Sequence, residues 1–581
     1  MSAMTAARSV AVWTAAAVVA LAGGGVPALG QSDGRTPESP RQGSPEGLPW
    51  PTRQPGAEPA GKGGGGGGET RPAARRVRMP VPVTRADMAA AYLRFERALA
   101  DNPPEGAKAA EINRAFDGLT QAFFTGDFSS AVRRLNQLIM QLEGGPADPQ
   151  AATWRVLADS LKVSSRPQVI VSGRDGQVRV RLTSMYLVSG APGGRVMKVS
   201  VGGLSGTVEL PQAVGSGGEG QVPVDVTVEM ALPADWSESE PGLIDVQVGD
   251  AAGESMFGVG GQGTVAVDER AAADWRAAIT AKLDQAGADP ALELARGLLR
   301  SRLELLTDDP ADGPSAALLA RRDPLGESLL REAEAMAQGT NPYVNRVGDW
   351  WAGLPINGAV MPTRIFAPGP AAEEGALPLV IALHGAGGDE NMFMDGYGAG
   401  AIKVLAEEEE FLVVSPRSEM LMGNAANFTR LLEVVGAHYR IDRSRVYVIG
   451  HSMGAMATWG LVSGDAGAGI AAAACIAGGP RMAPRGGPAE GQRAVPLLVV
   501  GAELDPLIPG ASLQRAATAM KTAGWPVEFV MSEGWGHTLV VGHELADAVA
   551  WLLKHRLPGA AGEGGGKVDA EKDAGAGEES K

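Results

Sequence analysis

The sequence predicts a multidomain chain. Its C-terminal part is a mostly parallel sheet with helices on both faces. A helical region, a β-sandwich-like region and a second helical segment precede it. Three observations predict this. Over residues 343–557, continuous apolar runs alternate with helical stretches, the pattern of parallel strands buried on both faces. Over 167–268 the hydrophobic period is two, with turn residues between the runs. On either side of that block the spacing of apolar residues is three and four. At 581 residues the chain is also too long for one core.

Residues 1–30 read as an export signal. Arg8 supplies the positive end, 10–21 is apolar, and Ala28-Leu29-Gly30 fits the small-x-small cleavage rule, followed by Gln31. The apolar run is short for a membrane span. No cysteine follows it to carry a lipid, and no twin arginine precedes it. The expectation is an exported protein, periplasmic or extracellular, without stable membrane insertion after cleavage. A retained single anchor is the alternative. Residues 31–83 hold Pro, Gly, Ser and Arg, including the run Gly63 to Gly68, and read as a disordered linker. Residues 558–581 read as a disordered tail.

The helical domain is expected over 84–166. Phe128, Val132, Leu135, Ile139 and Leu142 form one stripe, ended by Gly144-Gly145-Pro146. Phe116, Leu119 and Phe123 form another. The stretch 122–138 resembles one tetratricopeptide-like unit, but one unit makes no solenoid, and a small bundle is the simpler reading. The β-sandwich-like domain, 167–268, shows alternation at 178–182 and 222–230. Gly258-Val259-Gly260-Gly261-Gln262-Gly263 matches the dinucleotide fingerprint by letter. A strand pattern follows it, where the fingerprint needs a helix, so it is rejected. A helical connector is expected over 269–344, with Leu292, Leu298, Leu299, Leu303 and Leu306 on one face.

The net charge of −16, with no basic stripe, argues against a nucleic-acid partner and against strongly anionic polymers as substrate. The single cysteine, Cys475, excludes an intrachain disulfide. It sits in an alanine-rich apolar run and reads as a buried structural thiol.

Of the four blocks, 345–557 carries recognisable chemistry. Gly450-His451-Ser452-Met453-Gly454 is the one Gly-x-Ser-x-Gly of the chain. A buried-type strand precedes it and a helix-forming run follows. That junction forces the serine into a strained turn, lifts its hydroxyl clear of the sheet and leaves a helix N-terminus beneath it. A serine needs a base, and in this arrangement the chain order is serine, acid, histidine. Three of the six histidines follow Ser452. His555 stands among Lys554 and Arg556 at a helix end, and His543 begins the last helix. His537 lies in a glycine-rich loop after the last strand, where parallel sheets place their sites, and is the expected base. Asp465 falls in a Gly/Ala loop and Asp547 inside the final helix. Asp505 follows a strand and is the favoured acid, with Glu503 its close rival.

A tetrahedral intermediate needs N–H donors. One is expected from the main chain of Met453. The other is expected from the loop His384-Gly385-Ala386-Gly387-Gly388 after an earlier strand, at Ala386 or Gly387. His384 is expected to orient that loop.

Together, Leu-His-Gly-Ala-Gly-Gly, Ile-Asp-Arg-Ser-Arg-Val-Tyr-Val-Ile-Gly-His-Ser-Met-Gly, Gly-Ala-Glu-Leu-Asp-Pro-Leu-Ile-Pro and Gly-Trp-Gly-His-Thr resemble the α/β-hydrolases. Within them the chain resembles bacterial esterases related to feruloyl esterases and polyhydroxybutyrate depolymerases, and the phospholipase/carboxylesterase group. The resemblance covers 345–557. It implies a serine hydrolase for carboxylic esters, small or polymer-attached, with no metal and no organic cofactor. His451 before the serine is shared with lipases and thioesterases and leaves the subfamily open. Residues 478–494, where a lid helix would insert, lack an amphipathic period, which predicts an open site. Two other readings stand beside this one. A prolyl-oligopeptidase-type peptidase shares the elbow, though its β domain is usually a propeller of repeated blades. A binding or scaffold protein with an inactive hydrolase domain is the third.

Overall fold

The structure, a computed structural model, describes residues 81–190, 192–212, 221–233, 242–261, 263–287, 289–307, 325–373, 375–480 and 487–558. The expected signal, nearly all of the linker and nearly all of the tail lie outside them. No helix among the described residues is long and apolar enough to cross a membrane.

The chain begins with helices α1 (Arg85–Asp101), α2 (Gly106–Asp117), α3 (Thr120–Thr125), α4 (Phe128–Glu143) and α5 (Pro149–Asp159). Thr84 caps α1 in a capping box with Asp87, and Asp127 and Asp148 cap α4 and α5. The helical domain ends at Asp159, not at 166. Residues Leu161–Arg166 are strand β1, paired antiparallel with β3 (Gln177–Ser184). The polar Lys-x-Ser-Ser run conceals the strand. Lys162 is buried because its ammonium sits 2.9 Å from the Asp87 carboxylate.

β1, β3 and β6 (Asp225–Ala231) form a three-stranded sheet. A second sheet holds β2 (Val169–Val171), β9 (Thr264–Asp268), β7 (Gly242–Asp250), β4 (Val196–Val201) and β5 (Leu204–Glu209), with β8 (Met256–Gly258) on β7. The rejected fingerprint lies between β8 and β9. Its Gly260 meets the end of α5: a Cβ there would stand 2.3 Å from the Asp159 carbonyl oxygen. The glycine serves packing.

The expected helical and β domains share one core. Phe95, Leu135, Ile139, Trp154 and Leu157 belong to the same buried cluster as Val178, Val180, Val199 and Val246. The connector helices α6 (Ala272–Gln285), α7 (Glu293–Leu303) and α8 (Leu325–Ala337) join the C-terminal sheet instead. Their Trp275, Ile279, Leu298 and Leu329 pack in one cluster with Trp350, Leu379 and Val448. The first two stretches in sequence thus share a core, and the connector packs with the C-terminal sheet.

Among the described residues the C-terminal sheet has eight strands. In spatial order they are β10 (Gly348–Ile356), β11 (Ala359–Ala367), β13 (Leu412–Pro416), β12 (Leu377–Leu383), β14 (Ile441–His451), β15 (Ala472–Ile476), β16 (Leu497–Ala502) and β17 (Val527–Ser532). From β13 to β17 neighbours are parallel, while β10–β11 and β11–β13 are antiparallel. Pro355 and Pro362 disguise the edge hairpin as loop. The two-residue turn Asn357-Gly358, both at positive φ, is the signal that reveals it. Helices α9 (Ala401–Glu408), α10 (Ala425–Gly436), α11 (Met453–Val462), α12 (Gly510–Thr522) and α13 (Val540–Leu553) accompany the strands. Leu461 and Leu513 pack in one cluster and Leu545 in another, so both faces of the sheet are covered.

Candidate active site

β14 ends at His451, and the next residue turns. Ser452 has φ 53° and ψ −112°, a conformation a side chain rarely adopts. Its N–H still donates to Ile476 O (3.0 Å), so the elbow is pinned to β15. The flanking glycines make the turn possible. A Cβ on Gly450 would lie 2.3 Å from Gly454 O, and one on Gly454 2.0 Å from Leu383 O. Strand, elbow and helix α11 therefore close on β12. Met453 opens α11, where a main-chain N–H has no partner four residues back.

His537 and Asp505 come to this serine from two other strand ends. His537 Nε2 is 3.0 Å from Ser452 Oγ, and His537 Nδ1 is 2.7 Å from Asp505 Oδ2. The remaining Asp505 oxygen accepts the N–H groups of Leu507 and Ile508, both at 2.8 Å. An acceptor-only carboxylate at Nδ1 requires that nitrogen to carry the proton. Nε2 is then free to accept from the serine hydroxyl. All three side chains are buried. Glu503 is turned elsewhere: its carboxylate accepts Gly534 N–H (2.8 Å) and holds the histidine loop from outside. His543 stacks on Trp535 and His555 bonds Trp551 O. Asp465 opens a short 3₁₀ turn, and Asp547 lies on the exposed face of α13.

The glycine-rich loop after β12 runs beside the elbow. A Cβ on Gly385 would stand 2.6 Å from the His451 ring and 3.3 Å from Ser452 Cβ. Gly388 N–H closes a turn on Gly385 O (3.1 Å), so Ala386 and Gly387 form its tip, Gly387 at φ 81°. His384 is buried and braces the loop: Ser418 N–H donates to its Nε2 (3.2 Å), which directs Nδ1–H to Gly385 O (2.9 Å). Just past the tip, Glu390 accepts from Trp351 Nε1 (2.9 Å) and from Arg417. Arg364 reaches Asn391 (2.7 Å), Asp395 (3.0 Å) and Asp349. These buried, paired charges fix the loop to the edge hairpin.

Sequence reasoning missed three supports of this geometry. His451 is the first. Its Nε2–H donates to the main-chain carbonyl of His537 (2.9 Å), and its Nδ1 accepts from Tyr397 O–H (2.8 Å). Tyr397 in turn accepts Gly385 N–H (3.3 Å). Burial holds the His451 imidazole well below its ordinary range, so it stays neutral and keeps this tautomer. The elbow's own histidine thereby ties the base loop to the glycine loop.

The other two come from α2. Asn113 Oδ1 accepts Gly536 N–H (2.8 Å), and Asp117 Oδ2 accepts His537 N–H (2.9 Å). Burial pushes the Asp117 carboxyl up to about 6, against the N–H that favours its charge. Nearby, Phe123 lies on Gly387, where a Cβ would stand 2.3 Å from the ring, and Arg85 donates to Gly387 O (2.5 Å). α1 adds Glu96, which accepts Tyr92 O–H (2.6 Å) and a main-chain N–H of Gly398 and is pushed up to about 7 by burial. The N-terminal helices therefore border the site expected to be open. The N-terminal helices pack on both loops that flank Ser452. Residues 478–494 say nothing of this, because the contacts come from segments more than 300 residues upstream.

Among the described residues no cluster of His, Cys, Asp and Glu could hold a metal ion. Cys475 is buried, and burial pushes its thiol up.

No family model and no curated relative matches the chain. It is similar to solved esterase and hydrolase structures at low identity. A thermostable esterase is 15% identical, with 68% of this chain and 99% of that one covered, at a TM-score of 0.32. The feruloyl esterase module of Clostridium thermocellum, solved with sinapinate, is 15% identical over 36% of this chain and 88% of that one, at 0.30. An S-formylglutathione hydrolase of Agrobacterium tumefaciens is 16% identical over 36% and 96%, at 0.29. The parallel sheet, the serine elbow after β14 and the order serine, acid, histidine along the chain give residues 348–553 the α/β-hydrolase fold.

Proposed function

We propose that the chain is an exported serine hydrolase that cleaves carboxylic esters through an acyl-enzyme on Ser452. One observation carries the reading: the hydrogen-bonded series Ser452–His537–Asp505, set on a strained elbow. Ser452 Oγ attacks the ester carbonyl carbon while His537 Nε2 takes its proton. The carbonyl oxygen becomes an oxyanion beside the N–H of Met453 and that of Ala386 or Gly387. Asp505 holds the Nδ1–H tautomer and stabilises the imidazolium. Collapse breaks the ester C–O bond, and His537 returns the proton to the departing alcohol. Water then repeats the cycle, with His537 as base, and releases the acid. The cycle needs no metal or organic cofactor.

The substrate is a small or polymer-attached ester, with no nucleic acid involved. Export rests on the sequence of residues 1–30. The peptidase reading gains no observation, because among the described residues the β region is two sheets without repeated blades. The test is hydrolysis of p-nitrophenyl acetate beside a peptide p-nitroanilide. Ester turnover that disappears in Ser452→Ala supports the reading. Turnover of the peptide alone contradicts it.

A further inference from the structure

The N-terminal helices carry no motif, yet α2 reaches the base of the site. Asn113 and Asp117 stand one turn apart on its buried face and grip two successive N–H groups, those of Gly536 and His537. These contacts span 423 and 420 residues of sequence. The loop is shaped to receive them. A Cβ on Gly536 would stand 2.1 Å from Asp117 Oδ2, so the carboxylate reaches the main chain because that position has no side chain. Meanwhile the carbonyl of His537 is held from the opposite side by His451. The main chain of the base is thus bonded at its N–H by α2 and at its C=O by the elbow.

We infer that Asn113 and Asp117 are positioning residues of the active site, setting through the main chain where the His537 imidazole stands against Ser452. This rests on the esterase reading above. The two residues touch neither substrate nor ring; they act through the loop. Asp117 is an expensive choice for packing alone. The carboxylate also draws on the Thr538 N–H, but Oδ1 is buried with no well-formed hydrogen bond among the described residues, and burying such an atom costs stability. A position selected for stability alone would carry an amide here, which keeps an acceptor for the His537 N–H without a buried charge. A carboxylate gives a stronger bond to the His537 N–H and leaves a negative charge near the imidazolium that forms in each half-cycle.

The test uses the full chain, p-nitrophenyl acetate turnover and the rate of fluorophosphonate labelling at Ser452. Asp117→Ala should lower kcat about 10- to 100-fold with KM within about twofold, since misplacing a reacting group by a fraction of an ångström costs on that order. Labelling should slow in parallel. Asp117→Asn keeps an oxygen for the His537 N–H and should recover most of the loss. A packing defect would not be rescued in kcat alone. Gly536→Ala approaches from the other side, placing a methyl group where the carboxylate sits. It should cost a similar factor, and its effect should not multiply with that of Asp117→Ala. Folded Asp117→Ala and Gly536→Ala proteins with wild-type kcat would overturn the inference. If Asp117→Ala does not fold, Gly536→Ala decides by the same criterion. A wild type that neither turns over nor labels defeats the esterase reading itself. Turnover that ignores these variants defeats only the role of α2.

Discussion

Two regions meet at His537, and they hold it by different means. The C-terminal sheet supplies the ring's partners, Ser452 and Asp505, from two other strand ends, 85 and 32 residues away in sequence. The N-terminal helices supply partners for the main chain, Asn113 and Asp117, from more than 400 residues away in sequence, in a buried cluster that also takes in Leu539. The first region has a motif because its chemistry depends on local geometry: glycines at an elbow, a strand before, a helix after. The second has none, because an Asn and an Asp one helical turn apart are ordinary on any helix. A site can therefore be half written in a signature and half in tertiary contact.

The largest effect should fall on the ring side. Ser452→Ala or His537→Ala should each cost about 10⁶ in kcat, and Asp505→Asn about 10⁴, with the doubles no worse than the worst single. Ester hydrolysis under saturating substrate measures it. Equal and independent losses would break the idea that the three act as a unit. The main-chain side should be weaker by orders of magnitude, as given above for Asp117→Ala, because the ring keeps its partners and loses only its placement.

Stability should separate the two sides further. The Asp117 carboxyl is pushed from its ordinary value of 3.8 up to about 6, so the folded state binds a proton that the unfolded chain has released. Stability is then lost as pH rises from about 4 to about 6, and stays lost above. Asp117→Asn removes that burden. It should be more stable than wild type at pH 8 by about 1–3 kcal/mol, and the gain should vanish near pH 4. Thermal melts at the two pH values measure it. A variant less stable at pH 8 would mean the charge is paired better than its surroundings indicate.

The asymmetry also explains what was legible. The parallel strands, Ser452, His537 and Asp505 could be read because each stands in a local context, a buried strand run or the loop just after one, although the three side chains meet only in the fold. The edge hairpin was hidden by Pro355 and Pro362, although Asn357-Gly358 marked its turn. Strand β1 was hidden by Lys162, whose burial depends on Asp87. The packing of the N-terminal helices on the site loops, the relay from His451 through Tyr397 to Gly385, and the grip of α2 were not legible. Each is a pairing between segments that no period or spacing connects.

The smallest expected effect concerns Cys475. Its thiol is buried against the elbow helix, 3.4 Å from Ala455 O. Native protein should not react with a thiol reagent over the time in which Ser452 is fully labelled, and unfolded protein should react at once. A fast native thiol would mean that the region around Ser452 opens far more than these contacts allow.

The most direct test of the central claim is covalent. The full chain and its Ser452→Ala variant are treated with a fluorophosphonate, and intact masses are recorded. One adduct on the first and none on the second is the predicted result, and it would make Ser452 an activated nucleophile. A folded wild type that stays unlabelled, or a variant that labels equally, would contradict the account.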